Sequence, residues 1–136
     1  MKNFLRYLAV LLALTCMVGS LSVGAIATSP AEPTYVGLLT ASPVLSISSG
    51  KATCRDSISI RSGYSVNVKT ELQYLSGQKW SQAALWTTSG KNTVLINKER
   101  YVTSGYKYRI KETIHVYNAK GTLVESPIKY SAIVTY

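Results

Sequence analysis

The segment Tyr106-Lys107-Tyr108-Arg109-Ile110-Lys111-Glu112-Thr113-Ile114-His115-Val116-Tyr117 is written in period two. Tyr106, Tyr108, Ile110, Ile114 and Val116 fall on one side of an extended chain. Lys107, Arg109, Lys111, Thr113, His115 and Tyr117 fall on the other. Successive side chains of a strand point to opposite faces, so this pattern predicts a strand with one face on a core and one in water. A helix would scatter the same residues around its axis. Glu112 breaks the alternation by sitting on the apolar side. An unpaired buried carboxylate costs several kcal/mol. The expectation is therefore a bulge that turns Glu112 outward, or a cation that meets it.

The same period extends in both directions. Tyr64–Tyr74 places Val66, Val68, Leu72 and Tyr74 on one side and Asn67, Lys69, Glu71 and Gln73 on the other. Ser76-Gly77-Gln78 then reads as a hairpin turn into a return strand, Lys79–Thr88. There Trp80 and Trp86 share a parity opposed by Leu85, and both tryptophans read as core or rim packing. Ser89-Gly90-Lys91-Asn92 is a further turn before Thr93–Tyr101, whose Val94 and Ile96 point inward. Asn118 to Gly121 closes the segment quoted above, and Leu123–Tyr136 returns. Pro127 cannot donate to a ladder, which assigns it to an edge or a bulge. Upstream, Val44–Ser48 and Ala52–Ile60 flank Ser49-Gly50-Lys51. Seven short strands with turns about every ten residues predict an all-β, immunoglobulin/fibronectin III-like antiparallel sandwich.

The first residues carry a different message. Lys2 and Arg6 precede an uncharged run from Tyr7 to Val18, and small residues follow up to Ala25-Ile26-Ala27. This is the layout of a secretory signal peptide over 1–27, cleaved after Ala27. An uncleaved membrane anchor competes with it, since no charge appears between Arg6 and Glu32. Lipidation at Cys16 fits less well, because apolar residues continue beyond it. Residues 28–42, punctuated by Pro30 and Pro33, read as a flexible tether, and 43–136 as the sandwich domain. In each case the rest of the chain is expected to be secreted and extracellular. With Cys16 in the leader, Cys54 is the lone thiol of the exported part, so the domain folds without an internal disulfide. Cys54 reads as a small buried apolar residue.

Composition narrows the chemistry. The chain of 136 residues carries 15 Lys+Arg against 6 Asp+Glu, a formal +9, and loss of Lys2 and Arg6 with the leader takes it to +7. Such a surface is drawn to anionic polymers or lipid headgroups. The expected partner is thus an anionic cell-wall polymer or a membrane surface. Nucleic acid is not expected, because the basic residues are dispersed. His115 is the only histidine and Asp56 the only aspartate. No Gly-x-Ser-x-Gly elbow, metal-ligand cluster or phosphate-cradling loop is present in the sequence. The expectation is a protein without catalytic residues, cofactor or metal. A carboxylate pair for hydrolysis is left to the three-dimensional arrangement of the acids. Lys107, Arg109, Lys111 and His115, with Tyr117 at the end, form the polar stripe most suited to a polyanion.

Two likenesses sharpen these expectations. Val102-Thr103-Ser104-Gly105-Tyr106-Lys107-Tyr108 resembles the fibronectin type III stretch that leads into strand F. That resemblance gives Tyr108 the tyrosine-corner place, its hydroxyl returning to upstream backbone. Ser104 stands where that family has proline. The chain from about Pro43 to Tyr136 also resembles a family of small secreted proteins of unknown function from Gram-positive, mostly clostridial, bacteria. The carrying residues are Leu72-Gln73, Gly77, Trp80, Trp86, Gly105, Tyr108-Arg109, Gly121 and Glu125. The resemblance brings no catalytic residues. Export and positive charge lead to the expectation of a role in binding at the cell envelope or, as an alternative, of a secreted cationic effector acting on neighbouring cells.

Overall fold

In the computed structural model, which describes residues 34–136, the segment that opened the sequence reading is the centre of a sheet. It forms β7 (Lys107–Tyr117), paired antiparallel with β4 (Ser65–Ser76) from Ser65↔Tyr117 to Tyr74↔Tyr108. Directly opposed residues share a face, so Val66, Val68 and Leu72 line up with Val116, Ile114 and Ile110. All six are 3% exposed or less. The predicted leader, its cut after Ala27 and the first part of the tether lie outside the described residues.

Among the described residues, ten strands make two sheets. The first holds β1 (Leu38–Thr40), β2 (Val44–Ser48), β3 (Lys51–Ile60) and β6 (Thr93–Tyr101), with β3 paired to the other three. The second holds β5 (Lys79–Lys91), β4 and β7, followed on the far edge of β7 by β8 (Leu123–Glu125), β9 (Ile128–Tyr130) and β10 (Val134–Thr135). All pairings are antiparallel. Two-residue turns join β2 to β3 and β4 to β5. Ser49 and Gly50 both take positive φ (49° and 77°), the type I′ requirement that suits the twist of a hairpin.

Several boundaries differ from the sequence reading, each for a physical reason. The expected turn at Ser89–Asn92 is only its last residue: β5 runs through Lys91, and the chain reverses at Asn92 (φ 62°). There it crosses between sheets, since β5 pairs with β4 and β6 with β3. A Cβ at Gly90 would stand 2.6 Å from Val94 Cγ2, so this glycine serves close packing instead of a turn. The final predicted strand breaks into three short pieces around Pro127 and Ser131–Ile133. Pro127 lies between β8 and β9, needs no donor there, and accepts from Ile114 N at 2.9 Å. The sandwich also takes in residues assigned to the tether. Leu38–Thr40 is a strand, and Leu38 is 3% exposed among core side chains. The Glu125 carboxylate holds it from the opposite sheet, accepting from the amides of Val36, Gly37 and Leu38.

The core is in two parts. One cluster gathers Ile58, Val68, Ile96, Ile114 and neighbours; the other gathers Cys54, Leu72, Tyr108, Ile110 and neighbours. Between them, one residue from each central strand is polar and buried: Asp56 of β3, Thr70 of β4 and Glu112 of β7. Thr70 and Glu112 are direct partners in the ladder. Glu112 is therefore not turned outward by a bulge. The β4–β7 register runs past it without a shift, and it is 0% exposed. The pleat decides the direction of its side chain, and the buried polar groups facing it make that position tolerable.

Candidate functional site

The expected polar stripe lies on the outer face of the second sheet, but two of its cations, Arg109 and Lys111, are engaged. Arg109 sits between two aromatic rings, 4.1 Å from the centroid of Trp80 and 4.5 Å from that of Tyr130. Its Nε donates to Gln73 Oε1 at 2.9 Å. Lys111 is paired with Glu71 at 3.2 Å. Guanidinium over an aromatic face is a stabilising arrangement. Trp80 is brought there by a bulge. Leu72 pairs with Ala84 and Gln73 with Gln82, leaving Ala83 as the extra residue of β5. The two tryptophans thus end on opposite faces despite their shared sequence parity. Trp86 opposes buried Thr70 and packs on the core; Trp80 opposes Leu75 on the outside. His115 is half-buried on the outer face, opposite Asn67, whereas Cys54 is 0% exposed inside, so the two do not form a cysteine–histidine pair. Lys107 and Tyr117 lie at the two ends of β7, exposed and half-buried respectively.

The five described acids are each engaged by the fold. Leaving out Lys2, Arg6 and Glu32, the chain has 13 cationic side chains and five carboxylates. Glu71 meets Lys111, and Glu99 meets Lys51 at 3.0 Å. Glu125 caps the backbone before β1. Asp56 Oδ1 accepts from Ser42 N at 2.9 Å and Ser57 N at 2.7 Å, pinning the link between β1 and β2. Glu112 is buried. Among the described residues, eleven cations thus have no carboxylate within 4.0 Å.

Asp56 and Glu112 neighbour each other between the sheets, and Thr70 Oγ1 donates to Glu112 Oε1 at 3.3 Å. Burial, then the neighbouring Asp56, pushes the Glu112 carboxyl up to about 8. Glu112 therefore keeps its proton to higher pH than an ordinary glutamate. Asp56 Oδ2 and Glu112 Oε2 are buried without a hydrogen-bond partner. The buried Cys54 thiol is pushed up to about 12 by desolvation and by Glu112. Sequence parity held the signal for this layer. Asp56 falls in step with Ala52, Cys54, Ile58 and Ile60, as Thr70 does with Val66, Val68 and Leu72.

Two concavities matter for ligands. A groove of about 560 Å³ on the outer face of the first sheet is lined by Thr40, Val44, Arg55, Asp56, Ser57 and Leu95, among others. Glu112 is not part of its wall. A cleft of about 280 Å³ at one end of the sandwich is lined by Tyr74, Ala83, Arg100, Tyr101, Tyr106 and Tyr108 with their neighbours. Tyr108 donates to the Thr103 carbonyl at 2.6 Å, which is the upstream hydrogen bond expected of it. Among the described residues no three metal-ligating side chains converge, and no helix is long and apolar enough to cross a membrane.

The antiparallel sandwich, its engaged acids and its unpaired cations define a class: a basic all-β domain with open surface concavities. No family model matches the chain, and no curated protein sequence matches it significantly.

Proposed function

We propose that this is a small exported, non-enzymatic, immunoglobulin/fibronectin III-like module that adheres to anionic polymers of the cell envelope. The observation that carries the reading is the fate of the five carboxylates. Each is bound to a lysine, to backbone amides or inside the core, which leaves eleven cations of the described residues without a carboxylate partner. Dispersed positive charge of this kind favours a flexible polyanion over a single small substrate. Export is read from the charged, apolar and small-residue regions of the first 27 residues. The Tyr108–Thr103 hydrogen bond supports the fibronectin-like kinship.

The same geometry argues against a hydrolase built on Asp56 and Glu112. Asp56 touches the groove, but Glu112 is 0% exposed behind it, so a substrate reaches one carboxyl and not both. The test uses the protein cleaved after Ala27 and purified Gram-positive cell walls. It is expected to be retained at about 10 mM salt and released as salt approaches about 1 M, where the screening length falls to about 3 Å. Indifference to walls at low salt would overturn the reading.

A further inference from the structure

We infer that the cleft at the Tyr108 end of the sandwich is a specific subsite for a phosphodiester-linked polyol, with Arg100 as the anion-binding group and Tyr106 as the ring that covers the polyol. This rests on the adhesion reading and deepens it, by giving a diffuse attraction one place with shape.

The cleft is a product of the fold. The extra residue of β5, Ala83, contributes a small side chain to its wall, where a long one would fill it. From the opposite sheet comes Arg100 of β6, register partner of buried Ala52 and so on the inter-sheet side of its strand. Arg100 is exposed and, among the described residues, has no carboxylate within 4.0 Å. Tyr74, Tyr106 and Tyr108 form one aromatic group, with Tyr74 and Tyr106 edge to face at 5.4 Å and Tyr106 and Tyr108 at 6.4 Å. The Tyr108 hydroxyl is taken by Thr103, while the side chain of Tyr106 is 38% exposed. The backbone beneath Tyr106 is fixed: Gly105 N and Tyr106 N both donate to Tyr136 O, and Tyr136 N donates back to Tyr106 O.

A planar guanidinium beside aromatic rings suits a ligand that is anionic at one point and hydroxylated or CH-rich at the next. At about 280 Å³ the cleft lies at the small end of ligand sites, and it admits one repeating unit of a polymer. Glycerol phosphate has this chemistry, whether in a wall polymer or in a phosphatidylglycerol headgroup.

The experiment measures binding of the cleaved protein to a short glycerol-phosphate oligomer and to phosphatidylglycerol vesicles at low salt. Arg100→Gln and Tyr106→Ala are compared with Lys120→Gln, an equally exposed charge remote in sequence. Thermal melts establish that each variant is folded. Arg100→Gln is expected to weaken binding about tenfold or more, as loss of a charge-assisted hydrogen bond implies, and Tyr106→Ala to weaken it as well. Lys120→Gln should cost about twofold, the effect of one exposed charge. Loss for the oligomer alone assigns the site to polymer, and loss for vesicles alone assigns it to headgroups. If Arg100→Gln weakens both no more than Lys120→Gln does, the subsite is overturned while general adhesion stands. If the unmodified protein binds neither, the adhesion reading falls first.

Discussion

Glu112 of β7 and Asp56 of β3 neighbour each other across the two sheets, and burial together with Asp56 raises the Glu112 carboxyl to about 8. A carboxyl whose pKa is higher in the folded chain binds its proton more tightly there than in the unfolded chain. Its contribution to stability is therefore complete below the ordinary glutamate range and is lost as pH rises toward about 8. Above that the penalty is constant. Between these limits one retained proton gives a slope of about 1.4 kcal/mol per pH unit, several kcal/mol in all. Glu112→Gln keeps an uncharged donor and removes the titration. Urea unfolding from pH 5 to 8 should show the parent losing stability relative to this variant. Parallel pH profiles would refute the raised Glu112 titration.

The buried Cys54 thiol should be silent while the domain is folded. With its pKa pushed up to about 12 and no exposed surface, it lacks both thiolate and access. Ellman's reagent at pH 8 should label it only in denaturant, or at the rate of global unfolding. Rapid labelling of the native protein would contradict the packing described.

Glu125→Ala removes the acceptor for three amides ahead of β1. Val36 N is exposed and can turn to water, but Gly37 N and Leu38 N are part-buried, so a loss of about 1 kcal/mol is expected. Amide exchange at Gly37 and Leu38 should accelerate well before that of β4 and β7, because β1 loses its hold on the second sheet.

Tyr108→Phe deletes one hydroxyl and leaves the ring in place. The Thr103 carbonyl loses a 2.6 Å partner, so destabilisation of about 1 kcal/mol is expected by denaturant unfolding. A variant as stable as the parent would remove the structural argument for the fibronectin-like corner.

Strand identity was legible because alternation is a local signal. Thr93–Tyr101 and Val44–Ser48 stand as read from sequence, and the strand from Lys107 to Tyr117 begins only one residue late. What escaped the sequence is what depends on partners. The bulge at Ala83 exists only relative to β4, and it alone sends Trp80 to the opposite face from Trp86. The expectation for Glu112 assumed an apolar environment. Asp56 and Thr70, each set in an otherwise apolar parity, make that environment polar. Arg100 follows the parity of inward-pointing Val94 and Ile96, and its sequence context gave no sign of the tyrosines across from it.

The aligned Asp56, Thr70 and Glu112 also act on errors of assembly. Sliding one strand by two residues keeps its greasy side inward, so hydrophobicity alone penalises that mistake weakly. In β7 the slip would set Glu112 against Val68 or Leu72 in place of Thr70, stranding a carboxyl in hydrocarbon. The three side chains thus work as a key that admits one alignment of the central strands, at some expense of the tightest possible interior.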